Sequence, residues 1–281
     1  MLAALIIVFR EVIEAGLIVG IVLAATKGVP LRGRWITFGV AGGVIGACLV
    51  AAFAGRIANL FSGSGQEIFN ASILVLAVLM LTWHNVWMAG HGREMARQMK
   101  SVGAAVSAGE RPLAALAIVV GVAVLREGSE VVLFLYGIAQ NTTGASMLAG
   151  GALGLAAGVV ISALMYYGLL AIPAGKLFRT TAWLITLLAA GMAAQAVLFI
   201  QNAGYLELLT RSLWDTSWLL PDGGEGWRGI LGKMLHTLVG YTAAPDGAQL
   251  IAYLATVVAI FGLMRWERER HPRGKLVAKP A

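Results

Sequence analysis

Two five-residue stretches carry the chemistry of this chain: Arg10-Glu11-Val12-Ile13-Glu14 and Arg126-Glu127-Gly128-Ser129-Glu130. Residues three and four apart share one face of a helix. In each stretch the arginine and both glutamates therefore project to the same side. Ionised carboxylate oxygens are ligands for hard and borderline cations, and a guanidinium beside them stabilises the ionised form. Each stretch lies inside a long apolar run, where a charged residue costs about 2.5–3.5 kcal/mol on insertion scales. A single copy reads equally well as an intramembrane ion pair that locks two helices. Two copies, in two matching helices, point to one shared cation site of four carboxylates supported by two guanidiniums.

The elements that must position these residues are membrane spans. The 281 residues are 59% hydrophobic and 12% charged, with a mean hydropathy of +0.81. That composition belongs to the membrane class and excludes a soluble enzyme or a nucleic-acid-binding protein. The one cysteine, Cys48, excludes an intramolecular disulfide, and no nucleotide-binding loop, Cys-pair zinc motif or nucleophile elbow occurs. The N-terminus lacks a basic leader and a small-residue cleavage site, so it reads as a spanning helix. Seven spans are predicted, at about 2–25, 35–56, 67–89, 113–138, 147–171, 181–201 and 248–265. Basic residues follow the odd-numbered spans: Lys27, Arg32 and Arg34, then Arg93, Arg97, Lys100 and Arg111, then Lys176 and Arg179, then the tail. Only Arg56, Arg211, Arg228 and Lys233 fall on the other side. The positive-inside rule puts the N-terminus outside and the C-terminus in the cytoplasm.

The predicted architecture is an all-α integral membrane protein with two inverted three-helix repeats and a seventh helix. Arg10, Glu11 and Glu14 map onto Arg126, Glu127 and Glu130, and Gly39, Gly42 and Gly46 map onto Gly151, Gly154 and Gly158. Three spans per half invert the second half, a recurrent transporter design with the site at the repeat interface. Gly42 with Gly46, and Gly150 with Gly154 and Gly158, form small-xxx-small rows that admit close helix packing, either within the bundle or between subunits. The single permease domain then covers 1–265, with repeat one at 1–90, repeat two at 113–201, an external loop at 202–247 and the seventh helix at 248–265. A basic cytoplasmic tail occupies 266–281.

Outside the paired motif the candidates are weaker. Glu67 opens the third span at its outer end, where a cation would enter, or is an interfacial carboxylate in water. His84, near the other end of that span, is a ligand candidate of lower rank than a packing residue. Trp83 and Trp87 suit an interfacial aromatic belt, and His91 and Glu94 read as the start of a solvated basic loop. The length of the 202–247 loop suggests a lid or a docking surface.

The paired motifs on the first and fourth of seven spans resemble the oxidase-dependent iron permease family, also called the iron–lead transporters. That family includes the fungal high-affinity permease and bacterial EfeU-type permeases. The resemblance covers nearly the whole chain. Gln66-Glu67 through Leu81-Thr82-Trp83 is similar to the family's third span. Ala203-Gly204-Tyr205, Leu213-Trp214-Asp215 and Leu238-Val239-Gly240-Tyr241-Thr242-Ala243 are similar to its last external loop. Where members often carry Glu-Gly after the third-span glutamate, this chain has Asn70-Ala71, whose amide oxygen can coordinate without charge.

The resemblance implies import of Fe(III) or Fe(II) across the cytoplasmic (inner) membrane. Glu11, Glu14, Glu127 and Glu130 would form the metal path, with Glu67 behind them and Arg10 and Arg126 in support; Asn70 and His84 are the minor candidates. Iron is then the transported substrate, with no permanently bound cofactor. An extracytoplasmic oxidase, peroxidase or iron-delivery protein is the implied partner. The alternatives are a permease for another cation such as lead or manganese, or an intramembrane metal sensor. Enzymatic chemistry is not expected.

Overall fold

The computed structural model describes residues 1–60, 66–139, 143–168, 174–222 and 226–270. Among them the chain is helical: α1 (Leu2–Ala25), α2 (Arg32–Leu60), α3 (Gln66–Ser107), α4 (Ala114–Ala139), α5 (Gly144–Tyr166), α6 (Ala174–Asn202), α7 (Trp227–Val239) and α8 (Gly247–Arg270). Five of these, α2, α3, α5, α6 and α8, are long and apolar enough to cross a membrane. Helices α1 and α4 have comparable length, but each carries the three charged residues of one motif in its interior.

Local signals explain the helix ends. The Thr26 hydroxyl donates to the Val22 carbonyl (2.8 Å) as α1 finishes. Thr143 caps α5 by accepting from the Ser146 amide (3.4 Å). At the start of α8, the Gln249 amide donates to Asp246 Oδ1 (2.7 Å) and the Asp246 amide to Gln249 Oε1 (3.4 Å). This reciprocal capping satisfies donors that a helix start leaves free.

The helices pair across the two halves of the chain. Helix α1 runs along α5, α2 along α4, and α3 along α6, while α1 also crosses α4 and α8 packs on α6 and α3. The glycines show why. A β-carbon at Gly150, Gly154 or Gly158 would run into the α1 backbone or side chains at Met1, Leu5, Phe9 and Val12. One at Gly39, Gly43 or Gly46 would run into α4 at Ala117, Gly121, Val124 and Leu125. The glycine rows therefore pack within the molecule. The register differs slightly from the predicted one: Gly42 has no neighbour within contact distance and Gly151 makes only an ordinary contact with Val8. The faces of α2 and α5 away from these seams present Phe38, Ile45, Leu49 and Phe53, and Leu148, Leu153 and Val160, as a lipid-facing surface would.

One core joins Ala4, Ile7, Leu74, Leu81, Phe134, Ile138, Ile185, Ala189 and Ile260, from α1, α3, α4, α6 and α8. A second gathers Val22, Ile36, Val106, Leu116 and Val120 at one end of the bundle. Val106 belongs to a segment that the sequence assigned to a solvated loop. Instead, α3 runs unbroken for 42 residues, about 63 Å at 1.5 Å per residue. Strong helix formers such as Arg, Met, Gln, Lys and Ala carry it past Gly90 and Gly92. Its last turn packs on the end of α1, where the Ser107 hydroxyl donates to the Ala25 carbonyl (3.0 Å). His91 stacks on Trp87 (5.2 Å, 6°) and lies 3.7 Å from Glu267 of α8, so it is a packing residue and not part of a free loop.

The 202–247 segment is likewise more ordered than a plain loop, since it contains α7. Leu213 donates to the Pro245 carbonyl (2.9 Å) and Thr216 to that of Ala243 (2.8 Å). The Asp222 carboxylate accepts from the Ala243 amide (2.7 and 3.0 Å). Gly240 ends α7 in a left-handed conformation (φ 71°), and its α-carbon abuts Gly191 of α6, leaving no room for a side chain on either. The tail is helical as far as Arg270 within α8, and 271–281 lie outside the described residues.

Candidate functional site

Three helices build the site. Helix α1 supplies Arg10, Glu11 and Glu14, α4 supplies Arg126, Glu127 and Glu130, and α3 supplies His84. The glycine seams bring the flanking helices close behind α1 and α4, and Phe134, one turn beyond Glu130, meets His84 edge-on (centroids 6.5 Å apart, 85°). Apolar packing on these sides leaves the charged groups facing one another.

In the first motif, Arg10 Nη1 lies 2.9 Å from Glu11 Oε1 and Arg10 Nε lies 3.0 Å from Glu14 Oε1, with all three residues buried. In the second, Arg126 Nε pairs with Glu130 Oε1 (3.2 Å), and its guanidinium sits 4.1 Å over the Trp87 ring. His84 joins the two motifs. Its Nε2 is 3.5 Å from Glu14 Oε2, and its Nδ1 contacts Glu130 Oε2.

Glu11, His84, Glu127 and Glu130 each present a ligand atom, and these atoms lie within 4.8 Å of one another. Oε2 of Glu11 and Oε2 of Glu127 are buried with no hydrogen-bond partner among the described residues. Buried polar atoms are normally satisfied, and orphaned carboxylate oxygens converging with an imidazole are suited to a cation. The arrangement is a compact, largely buried cage with nitrogen and oxygen donors.

The predicted residues thus separate into groups. All four motif glutamates and both arginines gather at one place, and His84 stands at its centre. Glu67 and Asn70 do not join them. They lie in the first turns of α3, 17 and 14 residues before His84, about 25 and 21 Å away along the helix. Asn70 is buried, and Oε2 of Glu67 is buried without a hydrogen-bond partner among the described residues. Trp83 is exposed, as a lipid or interface position requires, whereas Trp87 lies under Arg126 and is part of the site's wall. Phe134 was missed as well. Its only sequence signal is an aromatic residue four positions after Glu130, on the same helix face.

The model of the Iron permease FTR1 family matches residues 1–268. The chain belongs to this iron permease family. The proteins it resembles include the Ferrous iron permease EfeU of Shigella sonnei (strain Ss046) and that of Escherichia coli O157:H7. Each is 31% identical over 270 residues, which is 94% of this chain and 96% of the relative. A protein of Escherichia coli (strain K12) described as a Putative inactive ferrous iron permease EfeU is 30% identical over 272 residues. No solved structure matches. This member of the iron permease family is therefore a multi-pass membrane protein, and the family match spans both motifs, α3 and the 202–247 segment.

Proposed function

We propose that the protein imports iron across the cytoplasmic membrane along a path between α1 and α4. The observation that carries this reading is the convergence of both motif copies on one buried cage with orphaned carboxylate oxygens, in a chain of an iron permease family. The relatives are described as ferrous iron permeases, and a mixed oxygen and nitrogen donor set suits Fe(II), a borderline cation.

In this reading α1 to α6 and α8 are seven spans, α1 and α4 included. Their charged centres are sheltered from lipid by the partners packed on them. The halves 1–90 and 113–201 are inverted repeats, which accords with the α1–α5 and α2–α4 pairs and their matching glycine seams. The N-terminus is outside and the basic C-terminal end is cytoplasmic, by the placement of the arginines and lysines. The domain ends at 265. Glu67 and Asn70, at the outer end of α3, form an early station. Glu11, Glu14, Glu127 and Glu130 form the central one, with Arg10 and Arg126 as supports. Several partial sites allow an ion to bind well enough to enter and weakly enough to leave.

A membrane potential drives inward movement of positive charge by about 2.3 kcal/mol per charge per 100 mV. The 202–247 segment, on the outer side, is the docking surface for an oxidase, peroxidase or iron-delivery protein. The chain acts as a carrier and not as an enzyme, and iron is its cargo and not a resident cofactor.

The test is uptake of radioactive iron by cells lacking other iron importers, comparing the wild type with Glu127→Gln at equal membrane levels. Loss of uptake in the variant supports the path. Unchanged uptake would reduce the cage to a structural lock. Competition by manganese and lead in the same assay separates iron from the other cargoes.

A further inference from the structure

Glu14 differs from the other motif glutamates. One of its oxygens is held by Arg10 Nε (3.0 Å) and the other faces His84 Nε2 (3.5 Å). Glu14 is thus paired with charged groups on both sides, although its Oε2, like those of Glu11, Glu127 and Glu130, makes no hydrogen bond among the described residues, and it is not among the four residues whose ligand atoms converge. His84 has its Nε2 on Glu14 and its Nδ1 on Glu130, and Glu130 belongs to the converging group. The imidazole is buried, and Phe134 borders it on the α4 side.

From this geometry we infer that His84 is a cation ligand through Nδ1, together with Glu11, Glu127 and Glu130, and that Glu14 is a positioning residue which fixes the imidazole. The assignment rests on the iron-permease reading and divides the roles within that same site. A carboxylate that accepts from the far nitrogen of a ligating histidine is a recurrent way of setting ring orientation and tautomer. Glu14, anchored by Arg10, occupies that position.

The consequence is selectivity. Hard cations such as Mg2+ and Ca2+ are served by oxygen alone. An imidazole shifts preference toward Fe2+ and the later first-row divalent ions, relative to Mn2+ and Mg2+. His84 is then the residue that separates iron from manganese, while the carboxylates supply the charge.

The experiment measures uptake of Fe2+, kept reduced with ascorbate, and its competition by Mn2+. It compares the wild type, His84→Asp, Glu14→Gln, the double variant and Glu127→Gln. The expected result is that His84→Asp, an all-oxygen cage, still carries cation but loses about 10-fold or more in Fe2+ preference over Mn2+. Glu14→Gln alone is expected to raise the half-saturating iron concentration about 10-fold, in the range seen when an outer-shell partner is lost. In the His84→Asp background it should add little, because its effect runs through the imidazole.

An unchanged Fe2+/Mn2+ ratio in His84→Asp would overturn the ligand assignment, and a fully additive loss from Glu14→Gln would overturn the positioning role. If His84→Asp does not accumulate, pulsed electron paramagnetic resonance of Mn2+-loaded wild-type protein gives the same answer. A nitrogen modulation from directly bound imidazole that disappears in Glu127→Gln supports the proposal, and its absence from the wild type refutes it. Failure of Glu127→Gln to impair uptake would instead remove the underlying path, so the two failures are distinguishable.

Discussion

The two Arg-Glu-x-x-Glu motifs share a spacing and differ in what surrounds them. Arg10 is sealed in the protein, with a side-chain exposure of 3%, and holds both glutamates of its own motif. Arg126 is 32% exposed, holds Glu130 alone among the described residues and rests on Trp87. Oε2 of both Glu11 and Glu127 lacks a hydrogen-bond partner among the described residues, but Glu11 accepts from Arg10 at Oε1. Around them the packing is nearly alike: a glycine seam from α5 against α1, and one from α2 against α4. The two motif helices thus share their backbone contacts and differ in their charge environments. Under the proposed function, a site that accepts an ion from one side and gives it up to the other needs unequal halves, and the inequality here lies in the arginines.

The comparison can be broken at several points. The largest expected effect is Glu127→Gln, which removes the carboxylate without a guanidinium of its own. Iron uptake should fall by about 100-fold or more, beyond the 10–100-fold typical of an outer-shell loss, whereas Glu11→Gln, whose Arg10 retains Glu14, should lose less. Equal losses would erase the distinction between the halves.

Next is Arg10→Met against Arg126→Met. Removing one partner of a buried ion pair costs about 3–5 kcal/mol, so Arg10→Met should lower membrane levels and melting temperature sharply. Arg126→Met breaks a pair whose arginine is about a third exposed, so it should cost less than the buried pair, fold, and show its defect in transport rate. Thermal stability in detergent, measured beside uptake, checks both.

The glycine seams provide the control. Gly154→Val and Gly43→Val each force a branched side chain into a neighbouring helix, and overpacking costs about 1–3 kcal/mol. Similar destabilisation from both would sharpen the picture of equal backbones and unequal charges. The smallest effect is expected from Trp87→Leu, which removes a cation–π contact of about 0.5–2 kcal/mol. It should alter transport kinetics more than stability, since it loosens Arg126 and the stacked His91 without opening either core.

Much of the fold was legible because it depends on contacts within one helix. Apolar runs gave the helix positions, and the three- and four-residue spacing put each motif on one face. Glycine rows signalled close packing, but Gly43 and not Gly42 faces α4. A one-residue choice of face depends on the partner's direction, which a single chain segment does not encode. His84 ranked low because it has no spacing partner on α3; Glu14 and Glu130 reach it from two other helices. Glu67, read from the sequence as an entry residue or an interfacial carboxylate, lies more than four helical turns from the cage along α3. The continuation of α3 to Ser107 was hidden by Gly90, Gly92 and a run of charges. Val106 and Ser107 lock onto the end of α1, and that contact outweighs the local glycine penalty of about 1 kcal/mol each.

The length of α3 has a mechanical consequence. One stiff rod is pinned to α1 by polar contacts at two levels, through His84 and Glu14 near its middle and through Ser107 and Ala25 at its far end. Two fixing points along a rod remove the freedom to pivot about either one. The brace is not confined to this pair, because His84 also contacts Glu130 and α4 packs on both α1 and α3, so the three helices that build the cage are tied together as a triangulated frame.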